Sequence, residues 1–324
     1  MYNLKELQEI INNEFNNLDF KQDPVELYEP IEYILSIGGK HLRPTLVLMA
    51  CNLFSDTVNQ AIKPALGIDI FHNFTLLHDD IMDNASIRRN HSTVHTKWNV
   101  NVAILSGDAM CIKAYEYLAE CDPYILKVIL NIFNRTALKV CEGQQYDMNF
   151  ENAQKITEKE YLKMIELKTS VLIASCLKIG ALIGGAKEKE AQLLYEFGKN
   201  IGMAFQLQDD LLDVYGDSKV FGKKIGGDII SNKKTFLLIT ALELAKGSTL
   251  AELKNQINAI EFKPEKKIKA VRNIYDKLAA KKITEKNINE FFEFAFKFLD
   301  KVNIDEKRKT ELKKFTKKII HRVK

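Results

Sequence analysis

Two sets of three aspartates, 130 residues apart, are the side chains of this sequence best suited to chemistry. Each has the spacing Asp-Asp-x-x-Asp, at residues 79–83 and again at residues 209–213. On a helix, the first and last carboxylates of such a set stand one turn apart on one face. Carboxylates this close repel one another unless a divalent cation neutralises them, and oxygen ligands suit Mg²⁺ holding a phosphate. The two sets together predict a polyanionic substrate clamped between metal ions.

The surroundings of both sets favour a functional interpretation. A single Asp-Asp-x-x-Asp on a helix is usually an acidic turn in contact with water. Here both sets end apolar stretches, residues 68–77 and residues 201–207, whereas solvated carboxylates belong on polar, charge-mixed faces. The predicted metal ligands are the six aspartates Asp79, Asp80, Asp83, Asp209, Asp210 and Asp213.

Cationic residues lie near both acidic sets. Gly39, Lys40 and Arg43 combine a flexible backbone with a guanidinium whose fork matches phosphate oxygens, although a turn between helices with solvated charges is the alternative. The neighbouring side chains of Arg88 and Arg89 diverge and can grip two different anions. After the second set, the candidates are a Gly-rich loop at residues 221–228, which contains Lys223, and then Lys233.

Helix geometry adds companions to the carboxylates. At 100° per residue, His72 falls about 20° from Asp79, so the two share a face, although a structural histidine is the alternative. Gln206 falls about 60° from Asp209 and can present its amide to the second set. Upstream of the first set, the residues of interest are Phe71 and Phe74, by default core packing, and Thr75, which points near the first acidic face.

Helices must position these side chains. No proline occurs between Pro123 and Pro264, which removes the strongest helix breaker from the centre of the chain. Apolar residues recur at helical spacing, and strict alternation is scarce. Residues 170–186 are apolar but too short and too interrupted for a membrane span, so they predict a close-packed buried helix. We expect one all-α domain spanning residues 1–324, because no linker divides the chain.

Cysteines and charge limit the remaining functions. The five cysteines form no Cys-x-x-Cys pair, so neither a zinc site nor a disulfide framework follows. The N-terminus lacks the layout of a signal peptide, so we expect a cytoplasmic protein. Residues 301–324 hold 10 Lys and Arg against 3 Asp and Glu. Such a basic helical tail is typically a solvated face, with contact to a nucleic acid, an anionic membrane surface or the substrate phosphates as the alternatives. We predict no nucleic-acid partner, because no aromatic residues are interleaved with these charges.

Six motifs follow one another between about residues 30 and 240. They are Gly39-Lys40-x-x-Arg43-Pro44, the first aspartate set with Arg88-Arg89, Lys168-Thr169, Phe205-Gln206 with the second set, Gly222-Lys223, and Asp228 with Lys233. In these motifs the chain resembles the trans-isoprenyl diphosphate synthases, also called polyprenyl synthetases. The resemblance implies an isoprenoid synthase fold, a ring of mostly antiparallel helices around a deep central cavity. It also implies a homodimer that condenses isopentenyl diphosphate with an allylic diphosphate in the presence of Mg²⁺.

Roles transfer from the family position by position. The resemblance implies that Asp79, Asp83 and Asp209 hold Mg²⁺, with the other three aspartates completing the acidic surroundings. The expected catalytic residues are Asp79, Asp83, Lys168, Asp209 and Lys223. The implied contacts of the allylic substrate, dimethylallyl, geranyl or farnesyl diphosphate, are Arg88, Lys168, Thr169, Gln206, Lys223 and Lys233. The implied isopentenyl diphosphate set is Lys40, Arg43, His72 and Arg89, and Gly39 is a further expected substrate-binding residue.

The resemblance also bears on product length. In the family, bulky residues just before the first aspartate form the floor of the cavity that receives the growing chain. In this sequence the corresponding residues are Phe71, Phe74 and Thr75. Phe74 followed by the small Thr75 resembles geranylgeranyl-type enzymes, so we expect a C15–C20 all-trans product and favour C20. Three departures from the family pattern, His41, Asn90 and Ser92, bear on the shape of two loops and remove no implied ligand.

Three other functions compete with this interpretation. A terpene cyclase would carry Asn-x-x-x-Ser-x-x-x-Glu in place of the second aspartate set, which this chain does not. A metal phosphohydrolase of the His-Asp type could use His78 and Asp79 with an upstream His41, but it leaves residues 209–213 unexplained. A catalytically silent partner subunit has no need of both carboxylate sets.

Overall fold

The computed structural model of the protein describes residues 1–216 and 225–320. The described residues are mainly helical, and the prediction of an all-α protein is confirmed. The exception is a hairpin of two-residue strands, β1 (Ile87–Arg88) and β2 (His91–Ser92), which pair antiparallel. The sequence did not predict this hairpin.

Sixteen helices are numbered here in chain order within the described ranges. They are α1 Leu4–Asn16, α2 Val25–Ser36, α3 Leu42–Asn52, α4 Asn59–Met82, α5 Val94–Lys97, α6 Val100–Ala119, α7 Pro123–Asn152, α8 Glu158–Ile165, α9 Val171–Ile183, α10 Glu188–Tyr215, α11 Gly227–Ile230, α12 Phe236–Leu244, α13 Gly247–Asn258, α14 Pro264–Lys277, α15 Ala280–Asp300 and α16 Glu306–Ile320. A π-helical turn, Glu166–Ser170, joins α8 to α9.

The chain divides into two compact units. Unit 1 comprises Met1–Arg135, Ser175–Tyr195 and Val302–Lys313. Unit 2 comprises Thr136–Ala174, Glu196–Lys301 and the chain from Lys314. The divisions fall inside α7, α9, α10 and α16 as well as between α15 and α16. The single domain expected from the sequence stays a prediction.

In unit 1, α4 packs along α6 and carries the first aspartate set. Helix α6 begins where the side chain of Asn99 accepts a hydrogen bond from the Val102 amide, which satisfies one free donor of the first turn. Gly107 of α6 lies against the His78 ring, and a Cβ atom there would be 2.3 Å from Nε2. The imidazole also donates from Nε2 to the Ile104 carbonyl at 3.2 Å. This close approach fixes the end of α4 against α6.

In unit 2, α10 carries most of the predicted site residues, and the π-turn that follows α8 carries Lys168 and Thr169. Helix α8 starts with a capping box in which Thr157 and Glu160 bond each other's backbone amides. Helix α12 packs against α8 and α15 and is buried along most of its length, including Phe236. These apolar contacts hold α8 in place, because each fully buried large side chain contributes roughly 1.5–3 kcal/mol.

Two expectations about the helices agree with the structure. The proline-free centre is helical over 123–152, 158–183 and 188–215, and residues 171–183 form the buried helix α9. In the parts of the chain that the structure describes, no helix combines the length and hydropathy needed to cross a bilayer. The basic tail forms α16, whose residues Leu312, Phe315 and Ile319 are buried while several lysines face solvent.

Candidate active site

The first aspartate set lies at the C-terminal end of α4. The Asp83 amide donates to the Asp79 carbonyl at 2.8 Å, so the two residues stand one helical turn apart as the spacing predicts. Asp79 is largely shielded and Asp83 is exposed. Asp80 points inward and is 3 % exposed.

Arg88 compensates the charge of the buried Asp80. Its Nε donates to both carboxylate oxygens at 2.8 Å, and Nη2 lies 2.7 Å from Oδ1. Burial raises the pKa of the Asp80 carboxyl, while the hydrogen bonds and charge of Arg88 lower it. Nη2 also lies 3.6 Å from Asp79 Oδ2. Arg88 therefore faces the acidic set and is positioned to exchange carboxylate contacts for phosphate oxygens.

The hairpin turn presents Arg89. Arg89 and Asn90 have φ values of 51° and 65°, as a two-residue turn with both residues left-handed requires. Asparagine tolerates this conformation, so the Asn90 departure from the family pattern keeps a tight loop. The Arg89 guanidinium lies beside Gly39, where a Cβ atom would be 3.1 Å from Nη1. The hairpin brings Arg89 to the Gly39–Arg43 turn.

The electrostatic surroundings of His72 show that the predicted cations of unit 1 are close together. Burial, and then the charges of Arg43, Arg89 and Arg88, hold the pKa of His72 well below its usual range. The imidazole is therefore neutral at pH 7. Lys40 is exposed on the neighbouring turn. These cations form a positively charged patch beside the first aspartate set.

The second aspartate set lies on α10 in unit 2. Asp210 is 4 % exposed and accepts hydrogen bonds from the Tyr161 hydroxyl and, at 3.1 Å, from Gln206 Nε2. Burial and then the nearby charge of Asp228 raise the pKa of Asp210 to about 7. The more accessible Asp213 accepts a hydrogen bond from the Asp228 amide at 2.9 Å. Asp209 is half-buried on the same helix.

The π-turn positions Lys168 and Thr169. Lys168 Nζ lies 2.6 Å from Asp147 Oδ2, and the Thr169 hydroxyl donates to Gln206 Oε1 at 3.0 Å. Gly143 of α7 makes this packing possible, because a Cβ atom there would be 2.2 Å from the Lys168 amide nitrogen. Turns of this type are frequent at functional sites. Thr169, Gln206 and Asp210 thus belong to one hydrogen-bonded network, and the neighbouring Lys168 pairs separately with Asp147.

Sequence reasoning missed three residues of these networks. Asp147 pairs with Lys168, Tyr161 bonds Asp210, and Asp69 pairs with His41. Asp147 follows Gly143 by one helical turn, and this spacing is the signal in the sequence that could have identified Asp147. Lys233 is exposed, its amide donates to the Asp228 carbonyl, and its charge acts on Asp210. Lys223 and Gly222 lie outside the described residues.

The predicted chain-length residues form an aromatic group in unit 1. Phe71 is 1 % exposed and contacts Phe133 with ring centroids 5.0 Å apart. Phe74 lies between Phe71 and His78, at 5.5 and 4.7 Å. Thr75 donates from its hydroxyl to the His72 carbonyl at 2.7 Å. The orientation of the Phe74 ring is therefore fixed by neighbours on both sides.

The aspartate sets fit Mg²⁺ in chemical type. Their donors are carboxylate oxygens, which hard divalent cations prefer. Across residues 1–216 and 225–320, however, no three His, Cys, Asp or Glu side chains are already grouped as a metal centre. Asp80 and Asp210 are buried and engaged by Arg88 and by Tyr161, so Asp79, Asp83, Asp209 and Asp213 are the better placed of the six proposed ligands.

Comparison with known proteins agrees with the motifs. Residues 24–277 match the family described as polyprenyl synthetase. The chain belongs to the polyprenyl synthetase family. It is 42% identical over 222 residues to a geranylgeranyl diphosphate synthase of Methanosarcina mazei, covering 68% of each chain. It is 35% identical over 256 residues to a geranylfarnesyl diphosphate synthase of Natronomonas pharaonis, covering 74% of this chain and 75% of that protein.

Similarity to solved structures extends over the whole chain. A crystal structure of a geranylgeranyl pyrophosphate synthase superposes with a TM-score of 0.94 at 41% identity, covering 100% of both chains. The isoprenoid synthase fold implied by the sequence motifs is thereby confirmed.

Proposed function

We propose that the protein is a trans-prenyltransferase that condenses isopentenyl diphosphate with an allylic diphosphate in head-to-tail (1'-4) elongation. The observation that carries this proposal is the grouping of Arg43, His72, Arg88 and Arg89 beside the first aspartate set. A cationic patch next to carboxylates suits two diphosphates, one bound by cations and one through metal. Membership of the polyprenyl synthetase family and the similarity to geranylgeranyl diphosphate synthases support the same reaction.

The protein groups divide the work of ionising the allylic substrate. Arg88, Lys168 and Lys233 would bind the leaving diphosphate and stabilise the negative charge that develops as the C–O bond breaks. Asp79, Asp83 and Asp209 would hold Mg²⁺, with Asp80, Asp210 and Asp213 around them. When bound, Mg²⁺ supplies Lewis-acid neutralisation of the same charge.

The isopentenyl substrate is then the nucleophile. Lys40, Arg43 and Arg89 would hold its diphosphate, with neutral His72 as a hydrogen-bonding partner. Its double bond attacks the allylic cation, and proton loss to the released diphosphate completes the new C5 unit. Apolar residues such as Phe71 and Phe74 exclude water, which would otherwise quench the cation.

The proposal extends to product length, assembly and location. Phe74 would floor the cavity for the growing chain and favour a C20 product, within a C15–C20 range. A homodimer is supported by exposed apolar side chains along α6: Val100, Ile104, Leu105, Ile112 and Tyr115. We infer a cytoplasmic location, and all five cysteines are free thiols as a reducing compartment requires.

Product sizing tests the proposal. The purified chain is incubated with isopentenyl diphosphate, Mg²⁺ and a dimethylallyl, geranyl or farnesyl diphosphate primer, and the dephosphorylated products are separated by chain length. We expect elongation of the primers with C20 as the main end product. Absence of condensation with every primer would favour the catalytically silent subunit instead.

A further inference from the structure

A buried aspartate outside both metal-binding sets lies ten residues before the first of them. Asp69 of α4 is 4 % exposed and is flanked by the buried apolar residues Ile68 and Ile70. Its Oδ2 lies 3.0 Å from Nδ1 of His41. Burial of a carboxylate is costly unless it is paired, so this pair needs an explanation.

His41 occupies a strained position at the start of α3. Its φ and ψ of 40° and 43° are left-handed, a conformation that is unfavourable for a residue other than glycine. The Asp69 contact and a stacked Phe15 ring, 4.2 Å away at 25°, hold the imidazole from two sides. The Thr45 amide and hydroxyl both bond the His41 carbonyl. These contacts fix the backbone on either side of His41.

The residues beside His41 are the proposed ligands of isopentenyl diphosphate. Lys40 precedes it and Arg43 follows by two positions, so the direction of both side chains depends on the His41 backbone. Asp69 also acts on Arg89, which lies against Gly39 of the same turn. The buried Asp69 carboxylate is thus coupled both to the Gly39–Arg43 turn and to Arg89 of the hairpin.

Charge gives Asp69 a second role. Arg43, Arg88 and Arg89 are close enough to act on one imidazole, and like charges gathered before substrate arrives repel one another. Asp80 neutralises Arg88 through a bidentate contact. The charge of the Asp69 carboxylate acts on Arg89, and because Asp69 is buried it does so without occupying the exposed face of the patch.

We propose that Asp69 and His41 are a positioning pair that holds the Gly39–Arg43 turn and Arg89 ready for isopentenyl diphosphate. The inference rests on the proposed function of this patch. It predicts that breaking the pair weakens the binding of isopentenyl diphosphate selectively. Of the proposed allylic ligands, Lys168, Thr169 and Gln206 lie on the π-turn and α10, and Arg88 is held by Asp80 rather than by Asp69.

Steady-state kinetics of three variants test the pair. Asp69→Asn keeps the shape and removes the charge, and His41→Gly relieves the left-handed strain while removing the side-chain contact. For both, we expect the KM for isopentenyl diphosphate to rise about tenfold, with kcat and the allylic KM within about threefold. His41→Asn should stay within about threefold of the original KM, because its Nδ2 can replace Nδ1 and asparagine tolerates the left-handed conformation.

A control separates positioning from general stability. Asn52, near the other end of α3, exchanges two hydrogen bonds with the Tyr2 backbone. Asn52→Ala should lower the melting temperature without changing either KM. The double variant Asp69→Asn with His41→Gly should be no worse than the single variants, since both remove one interaction.

Several outcomes would overturn the inference. Folded Asp69→Asn and His41→Gly enzymes with an unchanged KM for isopentenyl diphosphate would do so, and so would equal losses for both substrates. Failure of the unmodified chain to turn over would instead contradict the proposed function. Calorimetric titration then measures the affinity of the same variants for isopentenyl diphosphate without turnover. Equal affinities across the variants would refute the positioning role of the pair.

Discussion

The second aspartate of each set is buried, and the two sets compensate its charge differently. Asp80 is paired with the guanidinium of Arg88, whereas Asp210 accepts hydrogen bonds from the neutral side chains of Tyr161 and Gln206. A neutral environment disfavours the ionised carboxyl, so burial raises the pKa of Asp210 to about 7. The sequence spacing predicts which aspartates share a helix face. It cannot predict these partners, because packing between elements distant in sequence selects them.

The raised pKa of Asp210 predicts that the stability of the metal-free protein depends on pH. Because the folded protein binds this proton more tightly than the unfolded chain, the free energy of unfolding should fall as pH rises from about 4 to about 7, by on the order of 3 kcal/mol. Asp210→Asn removes this titration and should flatten the profile. Urea denaturation of both proteins in EDTA across this range measures the effect, and parallel profiles would contradict it.

Phe74 predicts a change in product length. Its ring is held between Phe71 and His78, so removing it should open space along α4 without rearranging its neighbours. Phe74→Ala should shift the main product beyond C20, measured by chromatography of dephosphorylated products. The control Phe294→Ala removes a half-exposed ring from α15 and should leave product length unchanged. An unchanged product from Phe74→Ala would refute the chain-length role.

At the scale of elements, the helices are easier to predict than the breaks within them. Proline spacing and apolar periodicity predict the long helices on either side of residues 166–170. The π-turn there contains no proline or glycine, so nothing in its own sequence marks it. Its cause lies on other helices, where Gly143 and Gly202 allow the turn to approach. The hairpin at residues 87–92 is too short for an alternating pattern.

The π-turn predicts a selective effect of a small substitution. Gly143→Ala places a methyl group where the Lys168 backbone lies, which should displace Lys168 from its position. We expect kcat/KM for the allylic substrate to fall at least about tenfold. Gly184→Ala is the matched control, because a Cβ atom there would be 2.6 Å from the Cys51 carbonyl oxygen and neither residue is a proposed ligand. Equal kinetic losses in both variants would contradict the positioning role of the turn.

For the whole molecule, the fold class and family follow from the sequence, because six motifs in order leave little freedom in the arrangement of helices. The division into two units does not follow from it, since both units are assembled from segments distant along the chain. That the two aspartate sets face a shared substrate stays a prediction. Three further expectations also stay predictions: the role of Lys223, the single domain and the role of the basic tail.

The exposed apolar face of α6 predicts self-association. Leu105 and Ile112 are 60% and 63% exposed and lie seven residues apart, which places them on one face. Replacing both with lysine should convert a dimer into a monomer in sedimentation velocity experiments. Ile260→Lys, at a residue that is 95% exposed outside any helix, should leave the dimer intact. A dimer that survives the double substitution would refute this interface.

The requirement for both aspartate sets is tested most directly by single-turnover condensation of isopentenyl diphosphate with a labelled allylic primer in Mg²⁺. The unmodified chain, Asp79→Asn and Asp209→Asn are compared at saturating substrate, with circular dichroism confirming that each is folded. We predict that each substitution slows product formation by at least roughly 10²–10³-fold, because each removes charge stabilisation from the ionisation step. If either folded variant kept more than about a tenth of the original rate, the two-cluster mechanism would be wrong.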